Sequence, residues 1–224
     1  MTHAREHEFE PEHGLPERLP GSERVLWQGS PDWRALALRV FHVRKVALYF
    51  TALVALRALL MHDEGASPAA VALSAAWLIA LGVLASGLLA TLAWLSARST
   101  VYTLTDRRIV MRIGIVLTLT FNIPFSRVVA ADFRPHRGDR GDIALRLAPS
   151  DRIAWLHLWP HARPWRVGRP EPMLRAIPQA ERVASLLVEA WSRSSGREAA
   201  AVGGPSGAAV PGFGAVMPSP AAAR

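Results

Sequence analysis

The chain has 224 residues, half of them hydrophobic, with 26 basic and 18 acidic side chains and a formal charge of +8. It contains no cysteine, which excludes a disulfide scaffold and a thiolate metal site, and the hydrophobic half excludes a disordered basic protein. A strongly basic chain suggests nucleic acid as a partner, unless the charge is confined to one part of it.

The N-terminal residues divide into two segments. Residues 1–21 mix Glu, His and Pro without apolar periodicity, which predicts a flexible acidic and histidine-containing tail. An alternative for His3, His7 and His13 is weak metal binding. Residues 22–45 form a cytoplasmic segment before the first apolar stretch, in which Arg24–Gln28 has the composition of a strand and could join the sheet of a downstream domain.

Two apolar stretches follow and predict a transmembrane hairpin. The first covers residues 46–61 and contains Arg57 near its end, where a guanidinium can reach the interface; the alternative is a helix lying on the membrane surface. The second, predicted over 68–97, lies in a run of 33 residues without charge, and about 20 helical residues suffice to cross a bilayer. Residues 62–67 then form a short external loop.

The flanking charges predict the orientation of this hairpin. Basic residues precede the first stretch and follow the second, whereas the loop at 62–67 carries only Asp63 and Glu64 as charged residues. The positive-inside rule therefore places both termini of this predicted multi-pass protein in the cytoplasm.

Small side chains recur at every fourth position in both predicted spans and could allow close helix packing. One interpretation is that these stripes pack against each other inside the hairpin, and the other is that one stripe meets a helix of a partner protein. The stripes are Ala47, Thr51 and Ala55 in the first span and Gly82, Ser86 and Ala90 in the second.

Residues 98–194 predict a compact cytoplasmic domain, which gives an α+β membrane protein overall. The pattern changes there from helical to strand-like and ends in one amphipathic helix, Gln179–Ser192, so that a small barrel or sandwich closed by a C-terminal helix is expected. Residues 195–224 are rich in Gly, Ala and Pro and predict a disordered tail. The predicted strands are Val101–Thr105, Arg108–Ile113, Ile115–Ile123, Arg127–Phe133, Ile143–Leu147 and Arg152–Trp159.

All of the net charge belongs to this domain. Residues 98–194 contain 16 arginines and 8 acidic residues, while residues 1–45 carry seven charges of each sign. A basic domain tethered beside anionic lipids gains about 1 kcal/mol for each cation near the surface. With no recognition helix, ribonucleoprotein motif or zinc knuckle in the sequence, we expect a membrane with anionic lipids as the partner and not nucleic acid.

The sequence contains none of the common catalytic motifs, so we expect a protein that is not an enzyme and that has no catalytic or metal site. Two alternatives involve His157 and His161. Their spacing of four fits a helical metal pair, although Pro160 lies between them. An enzymatic role would combine them with an acidic partner such as Asp151.

The segment WLHLWPHARPWRVGRP at 155–170 is costly to expose unless something binds it. One interpretation is that this segment forms an edge that binds a partner, together with two arginines of the first predicted β-hairpin. The other is that its tryptophans fill the core beneath the final helix. The candidate partner-binding residues are Trp159, His161, Arg163, Trp165, Arg166, Arg107 and Arg108.

Several of these segments carry a resemblance to known families. The pattern ERVLWQGSPDWRA at 23–35, a hairpin and TVYTLTDRRIVMRIGI at 100–115 resemble the bacterial pleckstrin-homology-like membrane proteins, and FNIPFSRV and GDIALRL extend the match. RALALRVFHVRKVALYF at 34–50 and the segment at 152–178 resemble, more narrowly, the PuhB family of photosynthetic complex assembly proteins of purple bacteria.

The resemblance implies two packed antiparallel sheets closed by a C-terminal helix. It also implies an assembly role in the intracytoplasmic membrane, with subunits of the reaction centre and of light-harvesting complex 1 as partners and with self-association into a homodimer. No cofactor is expected. The alternative is contact with bacteriochlorophyll, whose magnesium an imidazole can ligate, but neither predicted span contains a histidine.

Overall fold

The computed structural model describes residues 14–15, 17–148 and 153–201, with side chains placed up to residue 195. The chain forms two compact units, one made of residues 32–98 and the other of the segments before and after them. Most of the predicted tails at 1–21 and 195–224 lies outside the described residues. Within the first tail, however, Leu15 is 4% exposed and therefore buried.

The helical unit contains three helices, α1 (Trp33–Arg39), α2 (Val43–Asp63) and α3 (Pro68–Ser99). The Asp32 carboxylate caps α1 by accepting a hydrogen bond of 2.8 Å from the backbone N–H of Ala35. Gly65 ends α2 in the left-handed region at φ 71°, which suits glycine because it has no Cβ. Ser67 then caps α3, with its Oγ 3.3 Å from the N–H of Ala70.

Helices α2 and α3 contact each other at two described points. Gly82 approaches Phe50 so closely that a Cβ on the glycine would lie 2.8 Å from the Cβ of Phe50. Nearer the connecting loop, the Nε of Arg57 lies 3.5 Å from the Oγ of Ser74. Both helices also expose large apolar side chains, such as Leu48 and Leu59 of α2 and Trp77 and Leu84 of α3.

Among the described helices, α3 alone is long and apolar enough to cross a membrane by the criterion of length and composition. The predicted pair of spans is therefore not supported at this level. The physical reason is that α2 carries Arg44, Lys45, Arg57 and Asp63 within its 21 residues, and these charges lower its mean hydropathy.

The second unit is built on two antiparallel sheets, which confirms the predicted α+β class. One sheet has four strands in the order β1-β2-β3-β4 and the other has three in the order β5-β6-β7. The strands are β1 (Val25–Gly29), β2 (Val101–Thr105), β3 (Arg108–Ile113), β4 (Leu119–Pro124), β5 (Val128–His136), β6 (Arg140–Leu147) and β7 (Met173–Pro178).

Strand β1 pairs with β2 although the whole helical unit lies between them in the sequence. Gln28 pairs with Thr103, and Gly29 with Tyr102. The bond between the Nε2 of Gln28 and the Oγ1 of Thr103, at 2.9 Å, adds a side-chain link to this pairing. The segment before the helices thus belongs to the same sheet as the segment after them.

Two predicted strands are wrong in part or in full. The strand expected at Ile115–Ile123 begins only at Leu119, because Gly114 starts a tight turn. The strand expected at Arg152–Trp159 contains instead a short helix, α4 (Trp155–Leu158), and the missing strand of the second sheet is β7. Both RIAWLHLW and the β7 sequence MLRAIP are apolar runs without clean alternation, and such runs do not distinguish helix from strand.

The C-terminal helix α5 (Ala180–Ala201) closes the domain and continues nine residues beyond the predicted end at Ser192. Its apolar face, which includes Val183, Leu187 and Ala190, joins the core formed by both sheets. Tyr102 and Leu158 are fully buried in the same core.

Candidate docking surface

The chain between α4 and β7 forms a hairpin-like loop with a fixed base and an exposed tip. Ala162 forms an isolated antiparallel bridge with Pro172. The N–H of Arg163 donates to the carbonyl of Glu171 at 2.9 Å, and the N–H of Met173 donates to that of His161 at 2.8 Å. We call residues 164–170, which these bonds enclose, the tryptophan tip.

The tryptophan tip is the most exposed apolar feature of this loop. Trp165 is 96% exposed and Val167 is 65% exposed, and Arg166 and Arg169 are also exposed. Trp165 has a φ of 64°, in the left-handed region that costs an L-residue roughly 1–2 kcal/mol. The exposed indole does not pack in the core, and strained backbone conformations of this kind cluster at binding sites.

His161 fixes the base of the loop from inside the domain. Its Nδ1 lies 2.5 Å from the hydroxyl of Tyr102, and its Nε2 lies 3.1 Å from the Oγ1 of Thr100. The side chain is 0% exposed. The inclusion of His161 among partner-contacting residues is therefore wrong in this structure, since the imidazole is enclosed and both ring nitrogens are in use.

Burial also determines the protonation of this group. Desolvation, with a smaller contribution from the Arg175 cation, lowers the pKa of His161 to about 3, so the imidazole is neutral at physiological pH. Burial likewise raises the pKa of Tyr102 above its usual range. The hydroxyl of Tyr102 also accepts a bond of 3.3 Å from the backbone N–H of Arg175.

Arg175 is a site residue that the sequence analysis missed. It lies in β7 and is 8% exposed, and its Nη2 donates to the carbonyl of Ala162 at 2.5 Å. Burial lowers its pKa. The sequence signal for it is an arginine inside an apolar run, Met173 to Ile177. The same pattern is found where an arginine at the edge of a sheet faces solvent, so it does not predict burial.

Arg163 stabilises the loop through ion pairs within the domain. Its Nη1 contacts the carboxylate of Asp132 at 2.5 Å and that of Glu171 at 2.8 Å. Arg146 lies 3.6 Å from the same Asp132 carboxylate and 3.5 Å from Glu171. The bond to Glu171 is the main cause of the raised pKa of Arg163. Arg163 was predicted to bind a partner, but these pairs give it a positioning role.

Trp159 is 47% exposed, and its neighbour Leu156 is 76% exposed. Both of the tryptophans predicted to bind a partner, Trp159 and Trp165, are thus exposed, and the alternative that they fill the core is wrong. Trp155 does pack against the core and is partly buried.

Arg107 and Arg108 lie apart from the residues that fix the base of the tryptophan tip. Arg107 lies in the turn between β2 and β3 and Arg108 begins β3, at the opposite end of β2 from Tyr102, roughly 16 Å away at about 3.3 Å per residue. Arg108 makes two bonds to the carboxylate of Glu23, at 2.7 and 2.9 Å. The structure therefore leaves Arg107 exposed and engages Arg108 within the fold.

The two small-residue stripes occupy different environments in the helical unit. Gly82 is buried against Phe50, and Ser86 and Ala90 are half-buried, whereas Ala47, Thr51 and Ala55 are exposed. An open groove of about 300 Å³ runs beside the exposed stripe; it is lined by Ala47, Phe50, Thr51, Val54, Ile79 and Val83. The α3 stripe thus contributes to packing within the hairpin, and the α2 stripe stays accessible.

Comparison with known proteins now assigns a family. The sequence profile described as the bacterial PH domain matches residues 42–191, about two thirds of the chain. The chain belongs to the bacterial PH domain family. It is also 39% identical over 185 residues, 82% of this chain and 86% of the relative, to a protein of Rhodobacter capsulatus described as an uncharacterized 23.7 kDa protein in the puhA 5' region. No solved structure matches the sequence.

In this bacterial PH domain protein, the two histidines considered as a metal pair are separated by their environments. His157 is exposed and His161 is buried. Within the described residues, no group of three or more His, Cys, Asp or Glu side chains could hold a metal ion. Asp151, the acidic partner considered for an enzymatic role, lies outside the described residues.

Proposed function

We propose that this bacterial PH domain protein is a membrane-bound assembly factor for the photosynthetic reaction centre and its core light-harvesting complex, acting through protein–protein contacts. Two findings support the photosynthetic part. The R. capsulatus relative is encoded in the puhA 5' region, and residues 34–50 and 152–178 resemble photosynthetic complex assembly proteins.

The observation that carries the contact role is the tryptophan tip. A fully exposed tryptophan in a strained backbone conformation, beside two exposed arginines, has the composition of a binding hot spot. The buried His161–Tyr102 pair and the Arg163 ion pairs fix the base of the loop, so less conformational entropy is lost when a partner binds. The tip would bind cytoplasmic portions of the client subunits.

The sheet pairing supports a second membrane crossing by α2. Strands β1 and β2 pair in one sheet and must lie on the same side of a membrane. If α3 crosses the bilayer, the chain between Gly29 and Pro68 must cross it once as well. Helix α2 has 21 residues, about 32 Å at 1.5 Å per residue, and so meets the length that a crossing requires.

This topology gives a multi-pass protein of the inner or intracytoplasmic membrane with both termini in the cytoplasm. The flanking arginines and the acidic loop agree with it. Newly inserted client helices would pack against the exposed stripe of Ala47, Thr51 and Ala55, where the groove between α2 and α3 admits a side chain of the partner.

Deletion of the gene in a photosynthetic host is the first test. We expect the near-infrared absorbance bands of the reaction centre and core antenna to fall in isolated membranes, because their subunits would assemble poorly. Complementation with the unchanged gene should restore both bands. Unchanged bands in the deletion strain would refute the assembly role.

A substitution in the tryptophan tip tests the contact role separately. Trp165→Ala should complement the deletion poorly and reduce cross-linking from the tip to client subunits several-fold. The control is Val129→Ala, which truncates a 48% exposed apolar side chain on β5 and should complement fully. Equal complementation by the two variants would exclude Trp165 from the function.

A second candidate function is the binding of anionic lipid headgroups without a protein client. It is favoured by the net charge of +8 in residues 98–194 and by the exposed Arg107. Cross-linking from Trp165 that recovers lipid and no protein, together with unchanged absorbance bands, would favour this function.

A further inference from the structure

The turn between β3 and β4 exposes a set of aliphatic side chains that the core does not use. Val116 is 91% exposed, Leu117 is 80% exposed and Ile115 is 41% exposed. Gly114 opens the turn at φ 127°, and a Cβ at this position would lie 1.9 Å from the carbonyl oxygen of Leu117. The turn is therefore a tight structure that only glycine permits, with aliphatic side chains at its apex. We call residues 114–118 the aliphatic turn.

The aliphatic turn lies at a defined end of the four-stranded sheet. Arg112, two residues before the turn, pairs with Val101, the first residue of β2. Gly29, the last residue of β1, pairs with Tyr102 at the same end. The turn therefore projects from the sheet end at which the chain leaves for the helical unit and returns from it.

This position limits the distance between the turn and the end of α3. Helix α3 ends at Ser99 and β2 begins at Val101, and neighbouring strands lie about 4.8 Å apart. The turn extends only a few residues beyond the Val101–Arg112 pair, roughly 10 Å at about 3.3 Å per residue. If α3 emerges from a bilayer at Ser99, the lipid interface lies within reach of Val116 and Leu117.

We propose that the aliphatic turn inserts into the lipid interface as an additional membrane attachment of the domain. The proposal rests on the membrane crossing of α3 in the proposed function. Lipid suits the turn because its exposed large side chains are aliphatic and it contains no charged residue. The tryptophan tip, in contrast, mixes an indole with arginines, a composition suited to a protein partner.

The absence of cysteine from the chain makes the turn accessible to site-specific labelling. Val116→Cys would carry an environment-sensitive fluorophore in the full-length protein, reconstituted into vesicles of phosphatidylcholine and phosphatidylglycerol. Ser126→Cys is the matched control, because Ser126 is exposed and lies beyond the other end of β4. Leu84→Cys, at an exposed position in the middle of α3, reports on the membrane crossing itself.

We expect the label at residue 116 to show blue-shifted emission, several-fold weaker quenching by aqueous iodide than the label at 126, and quenching by nitroxide-bearing lipids. Leu117→Cys should behave in the same way if the first variant fails to fold. Equal iodide quenching at 116 and 126, with the label at 84 protected, would overturn the insertion of the aliphatic turn but not the membrane crossing of α3. An unprotected label at 84 would overturn the membrane crossing, and protection of 116 only in native membranes would indicate a protein occupant and overturn the lipid assignment.

Discussion

At the scale of single residues, the orientation of the tryptophan tip depends on a neutral imidazole. His161 bonds Tyr102 and Thr100 from a fully buried position, and the cationic Arg175 belongs to the same network. Protonation would place a second positive charge beside this guanidinium, in surroundings that solvate it poorly. Protonation of the imidazole therefore destabilises this network.

The free energy of unfolding should depend on pH through His161. Its pKa falls from 6.5 to about 3 on folding, so the unfolded state binds the additional proton as the pH falls below 6.5. Stability is complete above pH 6.5 and declines towards pH 3, with a loss of about 2 kcal/mol at pH 5. Thermal unfolding of the detergent-solubilised protein, followed by tryptophan fluorescence, measures this decline.

Two variants identify the group responsible for this decline. His161→Gln should be less stable at pH 7 and should show a flatter dependence on pH between 7 and 5. His157→Gln alters an exposed histidine of the same segment and should retain the wild-type dependence. Identical pH profiles for His161→Gln and the wild type would contradict the assignment.

At the scale of secondary-structure elements, the two helices of the hairpin use their small residues differently. Gly82 lets α3 approach Phe50 of α2, whereas a Cβ added at Gly87 would meet no heavy atom within 4 Å outside its own helical turn. Sequence spacing alone placed the stripe at 82, 86 and 90 in a packing role without indicating its partner. The structure gives Gly82 a specific contact within the chain.

Substitution of each glycine by alanine should have different effects on stability at positions 82 and 87. Gly82→Ala should lower the thermal unfolding midpoint of the helical hairpin in detergent micelles, because the new Cβ would meet the Cβ and Cγ of Phe50 at 2.8 and 2.9 Å. Gly87→Ala should be neutral or stabilising by up to about 1 kcal/mol, since alanine favours the helix. Equal midpoints for the two variants would show that the approach at Gly82 is not tight.

The sequence predicts most elements of the fold and fewer of the site residues. The hairpin of β2 and β3 follows from two β-rich runs on either side of Asp106–Arg107, and the apolar spacing of Val183 and Leu187 predicts α5. Strand β7 was missed because it is buried and shows no alternation. The burial of His161 depends on contacts with Thr100 and Tyr102, about 60 residues away in sequence, and the anchoring role of Arg175 depends on its bond to the carbonyl of Ala162. No local sequence pattern records such contacts.

At the scale of the whole molecule, the pairing of β1 with β2 means that the chain enters and leaves the helical unit from the same sheet. The proposed topology places the loop between α2 and α3 outside the cytoplasm. Because the protein lacks cysteine, single cysteines can test this placement directly.

A membrane-impermeant maleimide should label Glu64→Cys in spheroplasts and should label Ser126→Cys only after the membrane is opened. Glu64 lies directly after α2 and is exposed, and Ser126 is exposed in the domain that the proposed topology places in the cytoplasm. Labelling of both positions only after opening would mean that α2 does not cross the membrane. Because β1 pairs with β2, α3 could then not cross it either.

The same strand pairing also has a consequence for biosynthesis. Between Gly29 and Val101, 71 residues are made, which at 5–20 residues per second takes roughly 4–14 s. During that interval β1 has no partner strand, while both helices of the hairpin are synthesised and, in the proposed topology, inserted into the membrane. The four-stranded sheet can form only after this synthesis, so a folded domain indicates that the hairpin is already complete.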